Sequence, residues 1–200
     1  MKVYTRKGDD GTTGLLFGGR VAKASERPTA YGDVDEAQAV IGLARAETRA
    51  GGELDGILVG VAHDLWVLMA ELATETGNQG KLVDGTTRVT SAMVDRLEQH
   101  IDETSTRFTP PTEFVVPGQT RLSAALDLGR TVTRRAERSA SKVVGPADSQ
   151  VVPYLNRLSD LLWTLARWEE GEHLITKDVI TDDRRADDTN PATPQETPSP

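Results

Sequence analysis

Leu54, Leu58, Val61, Leu65, Leu68 and Leu72 return every three or four residues. That spacing puts all six on one face of a helix and predicts a helix over 53–76, stopped by Gly77. The same period recurs four more times. Ala30, Val34, Ala37, Ile41 and Ala44 mark 28–49, and Met93, Leu97 and Ile101 mark 90–104. Leu122, Leu126, Thr133, Ala136 and Ala140 mark 119–144. Val151, Leu155, Leu158, Leu162 and Leu165 mark a last helix, from an N-cap near Asp148 to about Gly171 or His173. Gly51-Gly52, Pro110-Pro111, Pro117 and Gly145-Pro146 separate the runs, while Pro28 and Pro153 fit only in first helical turns. The two-residue alternation of a half-buried strand is found nowhere, so no strand is expected. The expected fold is all-α: a five-helix bundle, up-down and antiparallel, with four long helices. A Gly-rich N-terminal loop (1–27) precedes the bundle (28–181) within one domain. A Pro-, Asp- and Thr-rich tail (182–200) is expected to be disordered, because it has too little apolar surface to offset the entropy of ordering.

The composition removes several function classes. There is no cysteine, which excludes disulfides, thiolate zinc sites and cysteine nucleophiles. The net charge of −8 argues against a nucleic-acid surface, so any bound anion must be held by locally gathered Arg and Lys. No apolar run reaches the ~18 residues of a membrane span. No apolar stretch follows a basic start, so neither a signal peptide nor a membrane partner is expected, and the expected compartment is the cytoplasm. His-Glu-x-x-His and Gly-x-Ser-x-Gly motifs are absent, and Glu170-x-x-His173 is only half of a di-iron signature. No metal-ligating set is expected.

Three groups of residues remain. Thr5-Arg6-Lys7-Gly8-Asp9-Asp10-Gly11-Thr12-Thr13 combines glycine-freed backbone N–H groups, hydroxyls and two cations. That composition suits a phosphate nest and equally suits a flexible polar terminus; a calcium loop lacks its distal Glu. Arg130, Arg134 and Arg138 stand at four-residue steps on one helix, with Arg135 and Glu137 beside them. Stacked guanidinium groups match a polyphosphate, or form a solvated face balanced by neighbouring carboxylates. Asn156, Asp160, Trp163 and Arg167 form a second stripe on the last helix, facing solvent or the arginines.

In order along the chain, several segments resemble the PduO-type ATP:cob(I)alamin adenosyltransferases. They are Tyr4–Thr13, Phe17-Gly18-Gly19, Tyr31–Glu36, Phe114-Val115-Val116-Pro117-Gly118, Arg134–Arg138, Tyr154–Asp160 and Leu165-Ala166-Arg167. The resemblance spans about residues 3–168. It implies a five-helix bundle, a homotrimer with sites between subunits, and a transferase. That enzyme moves the 5′-deoxyadenosyl group of ATP, carried with Mg, to the cobalt of cob(I)alamin and releases triphosphate. It further implies an ATP site of Thr5, Arg6, Lys7, Gly8, Gly11, Thr12, Thr13, Lys23, Glu137, Arg138 and Asn156. Arg134 and Asp35 are implied to pair across a subunit boundary, Arg130 to be a further functional arginine, and Phe114 to displace the lower corrinoid ligand.

Lys7 and Asp10 depart from the family, which often has Thr and Lys there, and no Tyr-Ala-Asn ending follows Arg167. Trp163 and Trp168 are the candidates for further corrinoid contact. A cobalamin reductase and an adenosylcobalamin-dependent acceptor enzyme are the partners implied. The alternative is a non-catalytic corrinoid or nucleotide carrier on the same bundle.

Overall fold

A computed structural model describes residues 4–145 and 149–179. Five long helices carry the fold: α1 (Glu26–Ala46), α2 (Glu53–Leu72), α3 (Ser91–Ser105), α4 (Arg121–Ala140) and α5 (Val151–Glu170). Their polar contacts give their directions. Arg45 meets Asp55, Asp64 meets Arg96, Asp33 meets Ser139, and Asp127 meets Arg167. In each pair an early position on one helix faces a late position on the other, so α1/α2, α2/α3, α1/α4 and α4/α5 run antiparallel. The up-down bundle expected from the periodicity is the observed one.

The apolar stripes are its core. Leu58, Leu65, Leu68 and Leu72 of α2 are fully buried, as are Leu155, Leu158, Leu162 and Leu165 of α5. Each such leucine contributes about 1.5–3 kcal/mol of burial. Gly129 sits where α4 crosses α1 and α5; a Cβ there would lie 3.5 Å from Ile41 and 3.6 Å from Leu162. Its missing side chain lets three helices approach closely. No helix of the described residues is long and apolar enough to cross a membrane.

The helix ends differ from the sequence expectation by a few residues. Helix α2 stops at Leu72, and its expected last turn instead leads into a short 3₁₀ helix, Thr76–Lys81. Helix α4 begins later than expected because Thr120 and Ser123 form a reciprocal cap, with Ser123 N donating to Thr120 Oγ1 at 2.9 Å. It ends at Ala140, four residues early. The N-cap of α5 is Gln150; the expected cap, Asp148, lies outside the described residues, as does the tail from 182. The expectation of no strands is corrected. Thr12–Gly14 (β1) and Arg20–Ala22 (β2) pair as an antiparallel hairpin, too short for an alternating pattern to register in sequence.

Tyr154 is fully buried, and its hydroxyl donates to Asp64 Oδ2 at 3.2 Å. Burial first, then the Asp64 charge, push this phenol well above its ordinary value of about 10. A phenol held neutral in the fold stabilises fully below the unfolded value. That contribution is lost as pH rises above about 10, at up to about 1.4 kcal/mol per pH unit. Tyr154→Phe should therefore flatten the alkaline loss of stability, read as denaturation midpoints on either side of pH ~10. Equal slopes for the two proteins would refute this.

Candidate functional site

The N-terminal loop is ordered rather than floppy. Asp9 N donates to Arg6 O and Gly11 N to Gly8 O, closing successive turns, with Arg6 and Gly11 at φ of 60° and 80°. Lys23 N donates to Gly11 O at 2.9 Å, and Leu16 N donates to Ala73 O at 2.9 Å, tying the hairpin to the end of α2. Arg20, unremarked in the sequence, is the internal strut. Its guanidinium donates to Lys7 O at 2.6 Å and to Thr12 Oγ1. Asp10 accepts from Thr12 N at 2.9 Å and Thr12 Oγ1 at 2.7 Å. These bonds hold its carboxyl below the usual range. Asp10 is thus spent inside the loop. The Lys23 ammonium lies 3.1 Å from where a Cβ on Gly8 would stand, so a side chain there would collide with it. Thr5, Arg6 and Lys7 are exposed on the same loop.

Helix α4 separates its arginines. Arg135 is neutralised by Glu36 and lies 3.9 Å from Asp33, both on α1. Arg134 and Arg138 are exposed, and neither has a carboxylate partner among the described residues. Arg138 Nη1 donates to the Arg134 carbonyl at 2.9 Å. Glu137 Oε1 accepts from Asn156 Nδ2 at 3.2 Å, linking α4 to α5. Asp35 is exposed on α1, also without a partner among the described residues. The solvated-face reading therefore holds for Arg135 but not for its neighbours. The loop enters α1 at the bundle end that also holds the last turns of α4 and the first of α5. Among the described residues no hydrogen bond or ion pair joins that loop to α4.

One turn toward the start of α4 the ladder reaches a cleft. Arg130 is half-buried, its Nε donating to Asp127 Oδ1 at 3.3 Å. It lines a cleft of about 400 Å³ together with Phe114, Asp127, Trp163 and Arg167. Phe114 is 89% exposed on its connector, an unusual state for a phenyl ring in the absence of anything to cover it. The connector is held by residues 174–176. Val116 N donates to Leu174 O at 2.8 Å, and Thr176 N donates to Phe114 O at 2.9 Å. From Arg130 to Arg138 the ladder rises about 12 Å.

Two sequence readings are corrected at the floor of the cleft. Arg167, expected in a stripe facing solvent or the arginines, is 1% exposed, donating to Asp127 Oδ2 at 2.5 Å and to Glu170 Oε1 at 2.9 Å. Glu170, read in sequence only as half of a di-iron signature, has its side chain fully buried beside His173. Asp127 was missed altogether. Asp127 stands three residues before Arg130 and seven before Arg134, on the arginine face of α4 rather than that of Leu122 and Leu126, so its spacing does not mark it as buried. Among the described residues no group of three or more acidic or imidazole side chains gathers to hold a metal.

The family model for cobalamin adenosyltransferase matches residues 3–169. The chain is 43% identical over 170 residues to a corrinoid adenosyltransferase of Mycobacterium tuberculosis strain H37Rv, covering 83% of this chain and 87% of the relative. It is 40% identical over 172 residues to a corrinoid adenosyltransferase of Citrobacter freundii, covering 84% and 95%. Among solved structures, a Phe-to-His variant of a PduO-type ATP:corrinoid adenosyltransferase from Lactobacillus reuteri, complexed with cobalamin and ATP, superposes with a TM-score of 0.79. Its identity is 27%, over 88% of this chain and 97% of that one. An Arg-to-Lys variant of the L. reuteri enzyme, complexed with ATP, gives a TM-score of 0.73 at 27% identity, over 86% and 99%.

Proposed function

From the premise that this chain belongs to the cobalamin adenosyltransferase family, we propose how its residues divide the work of ATP-dependent adenosyl transfer to cobalamin. It is a corrinoid adenosyltransferase. The observation that carries the assignment of roles is the α4 ladder. It runs from the bundle end that holds the ordered Gly-rich loop, where Arg134 and Arg138 lack carboxylate partners among the described residues, to Arg130 in a cleft edged by an exposed phenylalanine.

In the proposed reaction the cobalt of cob(I)alamin uses its electron pair to form a bond to the ribose 5′ carbon of ATP. The carbon–oxygen bond breaks, triphosphate leaves with the electrons of that bond, and cobalt finishes as Co(III). The corrinoid supplies the nucleophile; the chain supplies alignment and a field for the departing charge. Thr5, Arg6, Lys7, Gly8, Gly11, Thr12, Thr13 and Lys23 cradle the phosphates. Arg134 and Arg138 sit where charge grows on triphosphate. The Glu137–Asn156 pair orients the nucleoside. Magnesium arrives on the triphosphate and is assigned no step. Arg130 lines the corrinoid side.

Asp35 and Arg134 are both exposed and have no carboxylate–guanidinium partner among the described residues, which supports their pairing between copies in a homotrimer. A cytoplasmic enzyme fed by a reductase and serving an adenosylcobalamin-dependent acceptor completes the reading. The deciding test is an anaerobic assay with chemically reduced cobalamin and Mg-ATP, following the absorbance change as the cobalt–carbon bond forms. Binding of both substrates without that change would favour the carrier.

Phe114 occupies the space below the corrinoid, where its bulk excludes the lower axial ligand and eases reduction to Co(I). Phe114→Ala should keep ATP affinity. It should lose about tenfold or less with ready-made cob(I)alamin, and more when Co(II) must be reduced on the protein. Spectra of Co(II)rrinoid with ATP are the check: wild type should show four-coordinate cobalt and the variant little. Matching spectra would make Phe114 mere packing.

A further inference from the structure

The charged cluster under the cleft is continuous. Arg130 donates to Asp127, Asp127 accepts from Arg167, and Arg167 donates to Glu170. Glu170 Oε2 lies 3.4 Å from His173 Nδ1. Arg167 Nε is also 2.9 Å from Glu170 Oε2, but that contact is too bent for a hydrogen bond. Arg167 Nε, Glu170 Oε2 and both His173 ring nitrogens are buried with no hydrogen-bond partner among the described residues. The Phe108 ring meets His173 edge-on at 6.2 Å. Immediately after His173 the chain becomes the strap whose Leu174 and Thr176 bond to the connector carrying Phe114.

A buried ionic cluster is a poor way to gain stability, because well-packed apolar residues of similar volume usually do as well or better. What charges add is direction: each fixes the orientation of the next. This cluster has two outlets. One is Arg130, on the cleft wall. The other is the strap, which sets the register of Val115 opposite Ile175 and leaves the Phe114 ring outside. Glu170 is the member that joins them: it bonds Arg167 and lies 3.4 Å from His173, a contact that is an ion pair when the imidazole is protonated.

We propose that Glu170 is a positioning residue for the corrinoid side of the reaction: through Arg167 and Asp127 it fixes Arg130, and through His173 it holds the strap that presents Phe114. This rests on the adenosyltransferase reading only for what the cleft binds. The linkage itself stands on the contacts within this chain.

Glu170→Gln, of nearly the same shape, tests the charge, and His173→Ala cuts only the strap outlet while leaving the Arg167–Asp127 pair. Two readouts apply to the full chain. First, amide exchange at Val116 and Thr176 should speed up about tenfold in both variants relative to amides in the middle of α2. Second, with Co(II)rrinoid and Mg-ATP, both variants should lose most of the four-coordinate signal. The KM for corrinoid should rise about tenfold, while the KM for ATP stays within about twofold. Glu170→Asp, which keeps the charge, should recover part of the signal. Should Glu170→Gln fail to fold, His173→Ala decides alone. A lowered melting temperature with unchanged exchange at Val116, unchanged spectra and unchanged corrinoid KM would make the cluster merely structural and overturn the proposal. A wild-type protein that forms no cobalt–carbon bond would refute the adenosyltransferase reading instead; the exchange measurement would still decide the linkage.

Discussion

Arg134→Ala is expected to lower kcat/KM by about 10²–10³-fold, roughly 2.7–4 kcal/mol, the loss seen when one preorganised donor is taken from a developing anion. Within the described residues of one chain, Arg134 has no carboxylate partner. Arg135, one residue away, already spends its charge on Glu36, and Arg130, one turn away, on Asp127. Arg134 projects its guanidinium from the middle of the ladder, to be shared between the departing triphosphate and the proposed Asp35 of a neighbouring copy. A cation aimed in advance stabilises charge that appears only late in the reaction. The loss should therefore fall mainly on kcat, with helical content unchanged by circular dichroism. Arg134→Lys keeps the charge but loses the fork, and should recover only part of the rate. A variant within threefold of wild type would remove Arg134 from this role.

The second large effect is on stability. Arg167→Leu should destabilise the fold by about 3–5 kcal/mol, the usual cost of removing one partner from a buried ion pair. Here the loss leaves the buried Glu170 carboxylate without its arginine and the buried Asp127 with Arg130 alone. Equilibrium denaturation should show a lower midpoint with little change in slope, because the surface exposed on unfolding is nearly the same. Arg167→Leu combined with Asp127→Asn and Glu170→Gln removes the stranded charges as well, and should recover a good part of the loss. If the triple variant is no more stable than the single one, charge desolvation is not the cause.

How far the fold was legible follows from what generates each part. The helices declare themselves through period alone: Leu54 to Leu72 and Val151 to Leu165 are buried where the spacing places them. The hairpin was not legible, since three residues a side cannot show alternation. Its pairing comes instead from the Arg20 strut and the anchor to Ala73. The cleft floor was missed because charge was taken as a mark of solvent exposure. Asp127 and Arg167 neutralise one another across two helices, and a contact 40 residues apart in sequence leaves no local trace. Arg134 and Arg138 were legible as a ladder, but only the packing of α1 shows which arginine of the group is already occupied.

Helix α4 is one uninterrupted piece from Asp127 to Arg138, and it carries both the cleft wall and the exposed guanidinium groups of Arg134 and Arg138. Within such a segment, substitutions act singly, but length does not. Inserting or deleting one residue between 127 and 138 would turn everything beyond it by about 100° and shift it about 1.5 Å. A change between 130 and 134 would take Arg134 and Arg138 off their face while Arg130 stayed. Evolution can thus vary the spelling of this stretch but not its letter count. Gaps in future comparisons of related chains should be absent from the eleven peptide bonds that set the distance between the cleft wall and the exposed arginines.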